Sequence, residues 1–284
     1  MNVSSTTKLY AIIGDPIEHS LSPIIQNLAF QRLGLNSIYI AFRVSQQNLK
    51  NAVRGIKSLG ISGLNVTLPH KVSIMSYLEE VADDAIKIGA VNTILNRDGV
   101  LVGYNTDGQG ALSALRETNI RIRGCKIVLL GAGGAAKALA VTFAPLVEQL
   151  VILNRTENKA LDLANAVKNT CRKVKGAKLS ETELHSELPN TDILINATSL
   201  GMYPRVTETP VKQKHLHQGL TVFDIVYNPI LTRLLREAHE VGAGTIGGVK
   251  MLVYQGAQAF ELWTGKKPPV NEMYRAMLRV LEKR

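Results

Sequence analysis

The stretch Lys126-Ile127-Val128-Leu129-Leu130-Gly131-Ala132-Gly133-Gly134-Ala135-Ala136 decides the fold. An unbroken apolar run this short reads as a strand buried on both faces, and the alanine-rich segment 135–143 that follows reads as a helix. Between them the residues fall as GxGxxA. A strand that ends on such a turn and opens at once into a helix points the first helical amides beyond the strand end. Glycines there allow the tight turn and let backbone come close to a pyrophosphate. The context predicts a Rossmann-type dinucleotide-binding unit, with Gly131, Gly133, Gly134 and Ala135 as cofactor residues. A glycine-rich turn that binds nothing is the plainer alternative.

The next strand, 150–153, tests that reading at its end. An enzyme that grips the ribose 2′-hydroxyl of NAD needs an acid about 20 residues past the glycines. Here the strand runs into Asn154-Arg155-Thr156. A guanidinium between two neutral side chains suits a 2′-phosphate, which Arg155 can pair with while stacking on the adenine. NADP is therefore expected rather than NAD. The competing reading has these residues only turning the chain and capping the helix over 157–168.

Further along, 193–196 and 222–225 read as parallel strands, and the polar loops after them (197–202 and 226–229) belong beside the cofactor in a doubly wound sheet. Thr198, Met202 and Ile225 come from this region, and Gly248 from the Gly247-Gly248 turn before a helix expected over 251–264. The basic cluster at 172–178 reads as solvated loop. Upstream, apolar β-rich runs alternate with helical patterns. Strands are expected over 9–14, 38–44 and 63–68, and helices over 23–33, 49–59 and 72–88. Asp98-Gly99 between the runs 91–95 and 100–104 is a hairpin signal. Thr106 or Asp107 is placed to cap a helix over 108–117, and an amphipathic helix over 270–283 ends the chain.

The 284 residues suffice for two ordinary domains, and 45% hydrophobic with 20% charged residues suits a folded core. Near the N-terminus the longest apolar run is too short for a signal peptide, and no run reaches the roughly 18 residues of a membrane span. A cytoplasmic protein is expected. Cys125 and Cys171 form no CxxC pair, so neither a disulfide framework nor a metal site is expected. The net charge of +10 raises nucleic acid as a partner, but the basic excess is spread. Residues 1–107 hold 9 basic and 8 acidic side chains, 108–248 hold 17 and 12, and 249–284 hold 7 and 3. No nucleic acid or membrane partner is expected, and a basic surface suits an anionic substrate and cofactor.

Taken together the motifs resemble the shikimate dehydrogenase family. They are Gly14-Asp15-Pro16 with His19-Ser20-Leu21-Ser22-Pro23; Asn65-Val66-Thr67-Leu68-Pro69-His70-Lys71; Gly89-Ala90-Val91-Asn92-Thr93; Gly103-Tyr104-Asn105-Thr106-Asp107-Gly108; the glycine turn; Asn154-Arg155-Thr156; 196–202; 224–229; and 247–256. They follow the family's order over nearly the whole chain. The resemblance implies an α/β substrate domain (1–106 with 249–284), an NADP domain (107–248) and an active site in the cleft between them. It implies NADPH-dependent reduction of 3-dehydroshikimate to shikimate, in the pathway to aromatic amino acids, by a monomer or homodimer. A paralogue acting on quinate or an amino analogue is the alternative.

The resemblance further implies that Ser20 and Ser22 hold the substrate carboxylate. Asn65, Thr67, Lys71, Asn92, Asp107 and Gln255 surround its hydroxyls and carbonyl, with Tyr227 nearby. Lys71 stabilises and protonates the developing alkoxide, and Asp107 orients it. Each residue alone also has a duller reading. Ser20, Ser22 or Asp107 would cap a helix, Asn65 and Thr67 would share one polar strand face, Lys71 would be a solvated first-turn lysine, and Tyr227 and Gln255 would pack. His19 and His70 read as structural.

Overall fold

Residues 3–118, 120 and 122–283 are described by a computed structural model. The chain up to Thr106, together with Val253–Val280, forms one unit; Asp107–Leu252, with the last residues from Leu281, forms another.

The first unit runs β1 (Lys8–Gly14), α1 (Ser22–Arg32), β2 (Ser37–Arg43), α2 (Leu49–Ser58), β3 (Gly63–Val66), β4 (Glu80–Val81), α3 (Asp83–Ile88), β5 (Thr93–Arg97) and β6 (Val100–Tyr104). The strands make one sheet in the order β2-β1-β3-β5-β6-β4. β1 pairs in parallel with β2 and β3, and β5 runs antiparallel to β3 and β6. Asp98 and Gly99 both take positive φ (51° and 92°), as the tight turn of the β5–β6 hairpin requires. Alternation along β1 divides the core. Ala11 and Ile13 face a layer with Val53, Ile56 and Ile74, while Tyr10 stacks on Phe30 and Trp263. Gly63 leaves room for that indole, since a β-carbon there would lie 2.5 Å from it, and the indole N–H donates to the Ile94 carbonyl at 2.9 Å.

The second unit holds α4 (Asp107–Glu117), β7 (Lys126–Leu130), α5 (Gly134–Phe143), β8 (Gln149–Asn154), α6 (Glu157–Val167), β9 (Lys173–Lys178), α7 (Glu181–Glu187), β10 (Ile193–Asn196), β11 (Thr221–Asp224), α8 (Arg233–Glu240) and β12 (Gly244–Gly247). All six strands are parallel, in the order β12-β11-β10-β7-β8-β9. This is the doubly wound arrangement, and its order reverses between β7 and β10, beyond whose C-terminal ends a ligand is received. Val128, Leu130, Val151, Leu153, Leu194 and Val222 form the middle of its core. α9 (Gly248–Thr264) and α10 (Val270–Leu281) complete the chain.

Four local expectations need correction. The helix expected over 72–88 is instead a 3₁₀ turn at Ser73–Tyr77, the short strand β4 and the helix α3. Ser73 and Ser76 hydroxyls donate back to the carbonyls of His70 and Ser73, and Leu78 turns extended. Glu79 is drawn off to Lys57 and the Leu101 amide. The strand expected over 63–68 ends at Val66, and the helix expected from 251 starts at Gly248. The basic cluster at 172–178 is not loop but the edge strand β9. Charge suits an edge, because lysines deter pairing with another chain. Lys175 there pairs with Glu183 and Glu187 at 2.6 and 2.8 Å.

Among the described residues no helix is long and apolar enough to cross a membrane, and no group of three His, Cys, Asp or Glu side chains is placed to hold a metal ion.

Candidate active site

In the first unit the candidate residues gather where β3 ends and β5 begins. Asn65 and Thr93 are direct partners in the β3–β5 register, so their side chains meet. The Asn65 amide donates to the Asn92 carbonyl at 3.2 Å and to Thr93 Oγ1 at 3.1 Å, and its oxygen accepts from the Tyr39 phenol at 2.7 Å. Asn92 Oδ1 accepts from the Thr106 amide and from Thr93 Oγ1, both at 2.9 Å, and Asn92 Nδ2 donates to Thr106 Oγ1 at 3.1 Å. Tyr39, Asn65, Asn92, Thr93 and Thr106 are all buried. Burial holds the Tyr39 phenol protonated, well above the ordinary range, against a hydrogen bond from Ser22. Every member of this network is neutral.

Thr67 lies just past β3, half-buried, with its amide bonded to the Ile13 carbonyl. Gly14 makes this approach possible, because a β-carbon there would strike the Thr67 methyl and the Leu68 carbonyl. Lys71 follows in the same loop, half-buried, and its carbonyl takes the Val91 amide at 2.8 Å. Buried His70 fastens the loop through Nε2 to the Val44 carbonyl at 2.6 Å. Ser20 and Ser22 flank Leu21, which is the N-cap of α1 and gives no side-chain cap. The Ser20 hydroxyl accepts from the Ser22 amide at 3.4 Å, and neither serine serves as the helix cap. Gln255 is half-buried on α9, and the next residue, Gly256, gives its carbonyl to buried Gln26 at 2.9 Å.

In the second unit the glycines of the β7–α5 turn divide by what their neighbours require. Gly131 takes φ 107°, and a β-carbon there would lie 2.9 Å from the Ala197 carbonyl. Gly248 is as constrained, since a β-carbon would collide with the Ile225 and Val226 carbonyls. Gly133 and Gly134 differ. A β-carbon at either would meet nothing in the chain, and Gly133 caps α5 with no side chain taking its first amides. The chain itself has no steric need for glycine there, whereas an anion seated on those amides does. Ala135 follows in the first helical turn.

β8 ends at Asn154, whose amide donates to the Thr156 carbonyl at 2.8 Å. Arg155 is exposed, and Thr156 stands at the N-cap of α6 without a side-chain cap bond. The capping reading of Thr156 is therefore not realised. Thr198 donates to Asn196 Oδ1 at 2.7 Å and accepts from the Leu200 amide, shaping the loop that carries exposed Met202. Ile225 hangs its amide on the Asn196 carbonyl, and half-buried Tyr227 follows two residues later. Asp107 is buried in the first turn of α4. Beside it, Gly108 lets α4 close on α5, since a β-carbon would strike Thr142 and the Ala138 carbonyl.

Three family models match: "Shikimate dehydrogenase substrate binding domain" over 12–94, "Shikimate / quinate 5-dehydrogenase" over 113–233 and "Shikimate 5'-dehydrogenase C-terminal domain" over 248–278. The chain is 46% identical to the shikimate dehydrogenase (NADP(+)) of Methanocaldococcus jannaschii, covering 99% of this chain and 100% of that one. It belongs to the shikimate dehydrogenase family. A shikimate dehydrogenase solved with NADP+ superposes with a TM-score of 0.93 at 44% identity over 99% of this chain and 98% of the other. The Listeria monocytogenes shikimate 5-dehydrogenase, solved with shikimate and NAD, gives 0.92 at 38% over 97% and 98%.

Two features of this family member lie outside the candidate site residues read from the sequence. Tyr39 sits mid-strand, and only the rule that a buried phenol needs a partner marks it. Asp224 is the other, with no exposure at all. Its Oδ1 accepts from Asn196 Nδ2 at 2.9 Å and from the Val226 amide at 3.1 Å, and its Oδ2 accepts from Thr232 at 2.7 Å. Burial pushes the carboxyl up to about 6, against the bonds from Thr232, Val226 and Asn196. An acid closing an apolar strand is the signal that identifies it.

Proposed function

We propose that this chain catalyses the NADPH-dependent reduction of 3-dehydroshikimate to shikimate, the first unit holding the substrate and the second the cofactor. The observation that carries this reading is the union on one chain of two unlike sites. One is a set of neutral, directed hydrogen-bonding groups. The other is a glycine turn with open space at Gly133 and Gly134, followed by a strand end that lacks an acid.

The residues fit the dinucleotide. The α5 amides face its pyrophosphate, Arg155 pairs with the 2′-phosphate, Asn154 and Thr156 line the ribose, and Thr198, Met202, Ile225 and Gly248 bound the nicotinamide side. NADPH, when bound, supplies the hydride. The protein supplies orientation and charge.

Reduction of a ketone leaves negative charge on its oxygen, so a cation at hydrogen-bond reach lowers the barrier and delivers the proton. Lys71 is that group, and Asp107 orients it. Ser20 and Ser22 bind the carboxylate, which does not change during reaction, while Asn65, Thr67, Asn92, Gln255 and Tyr227 bind the ring hydroxyls. A polyhydroxylated acid demands such partners, because each buried polar group left unmatched costs about 1–3 kcal/mol. The enzyme works in the cytoplasm, on small molecules, without nucleic acid.

The test follows absorbance at the NADPH band with 3-dehydroshikimate, with NADH in place of NADPH, and in reverse with shikimate and quinate. Rapid NADPH oxidation, at least ten-fold slower turnover with NADH, and shikimate preferred over quinate are the expected results. Preference for quinate would move the chain to the paralogue reading, and no turnover of either acid would overturn the proposal.

A further inference from the structure

Tyr39 lies on β2, an outer strand of its sheet, where one side of the backbone has no neighbouring strand. Asn27 of α1 fills that place. Its Oδ1 accepts the Tyr39 amide and its Nδ2 donates to the Tyr39 carbonyl, both at 2.8 Å. The ring packs against Trp263, with centroids 5.9 Å apart. The phenol oxygen is thus fixed from both ends.

The polarity of what it meets is also fixed. The Asn92 carbonyl can only accept, so the group of Asn65 facing it must be the NH₂, and the Asn65 oxygen must face Tyr39. The phenol therefore donates its single proton to Asn65. Both Asn65 N–H groups are spent, one on the Asn92 carbonyl and one on Thr93 Oγ1. What remains of Asn65 for a ligand is one lone pair of Oδ1.

We propose that Tyr39 is a positioning residue that makes Asn65 an acceptor-only subsite, selecting a substrate hydroxyl at that point and rejecting a group that cannot donate. This rests on the reading of the first unit as the substrate domain. Tyr39 touches no reacting atom in this scheme. Through Asn65, its loss frees that amide to rotate and removes selection at one hydroxyl; through the Ser22 hydroxyl that bonds the phenol, its loss falls on all the acids alike and leaves their discrimination unchanged.

The experiment uses the full-length enzyme in the shikimate-oxidising direction, with shikimate and two analogues in which one non-reacting ring hydroxyl is replaced by hydrogen. Wild-type turnover of shikimate reports on the functional reading; the ratio of Tyr39→Phe to wild type reports on this inference. Tyr39→Phe should raise KM for shikimate about ten-fold, the loss of one buried hydrogen bond. It should leave kcat and the KM for NADP within two-fold. It should also lose discrimination against one deoxy analogue while keeping it against the other. Asn65→Ala should show the same signature, and the double variant should be no worse than Asn65→Ala. Equal losses on all three acids, or no loss on any, would overturn the proposal. Should Tyr39→Phe not fold, p-fluorophenylalanine at position 39 fills the phenol's space without its proton and is read the same way. Failure of both to fold would assign the phenol to the core alone, and overturn it as well.

Discussion

The two units each place a buried polar network at the ends of their central strands, and the networks differ in one respect. In the first, Tyr39, Asn65, Thr93, Asn92 and Thr106 are all neutral, and backbone groups dictate which way each amide faces. In the second, Asn196 and Thr232 converge on the carboxylate of Asp224. A neutral network gives fixed donors and acceptors across the working pH range, which suits a ring bearing hydroxyls. A buried carboxylate takes three donors at once and ties the 197–202 loop, through Asn196, to the start of the 225–229 loop. That grip has a cost, since a carboxyl moved from 3.8 to about 6 makes the ionised form about 3 kcal/mol less favourable in the folded chain. On the proposed function, the difference teaches that selection of a polyol is given to groups of fixed polarity, while the loops beside the cofactor are held by a group that titrates.

The largest expected effect separates chemistry from both networks. Lys71→Met keeps the aliphatic stem and removes the charge, so kcat should fall by about 10² to 10⁴ while NADPH affinity, read by fluorescence titration, is unchanged. Asp107→Asn added to it should cost much less than its own single loss, because residues acting as a unit are non-additive. Near-normal kcat in Lys71→Met, with hydride transfer rate-limiting, would remove this lysine from the mechanism.

Next in size is the cofactor's phosphate. Arg155→Ala should weaken NADPH by about 1.5–3 kcal/mol, a charge-assisted contact, and leave NADH unchanged. Equal losses for both cofactors would place Arg155 outside the 2′-phosphate site.

A smaller effect tests the charged network directly. As pH falls through about 6, Asp224 gains a proton and the donors around it lose an acceptor, so KM for NADPH should rise several-fold while KM for substrate follows another course. Stability moves the other way. The folded carboxyl holds its proton more tightly than the unfolded one, so its contribution is full below the unfolded value of 3.8 and is lost as pH rises through about 6. Asp224→Asn should flatten both dependences. A KM for NADPH that still rises below pH 6 in Asp224→Asn would assign the titration to another group.

The smallest effect belongs to the neutral side. Ser20→Ala or Ser22→Ala should raise KM for 3-dehydroshikimate by about two- to three-fold with little change in kcat, since the carboxylate is bound alike in ground and transition state. A collapse of kcat alone would move these serines into the chemical step.

Much of the second unit was legible because its signals are local. The strand, the glycine turn and the alanine-rich helix follow one another within a few residues, and the absence of an acid after β8 is read at one position. The stretch 72–88 was not legible, because its outcome turns on bonds to distant residues: Glu79 to Lys57 and to the Leu101 amide, and β4 to β6. The β9 lysines were misread for a related reason. Charge on an edge strand looks like charge on a loop until Glu183 and Glu187 are brought beside Lys175. Tyr39 and Asp224 mark the same limit within the candidate site. Tyr39 meets Asn65 across 26 residues of sequence and Asp224 meets Asn196 across 28, distances over which no motif reports.

The most direct test follows the hydride itself. Incubated with 3-dehydroshikimate and NADPH carrying two deuterium atoms at the nicotinamide C4, the enzyme should yield shikimate with one deuterium on the newly formed carbinol carbon. Mass spectrometry and proton NMR would read that label, in equal amount to the NADP+ formed. Oxidation of the labelled cofactor with unlabelled shikimate as product, or with no shikimate formed, would contradict the account.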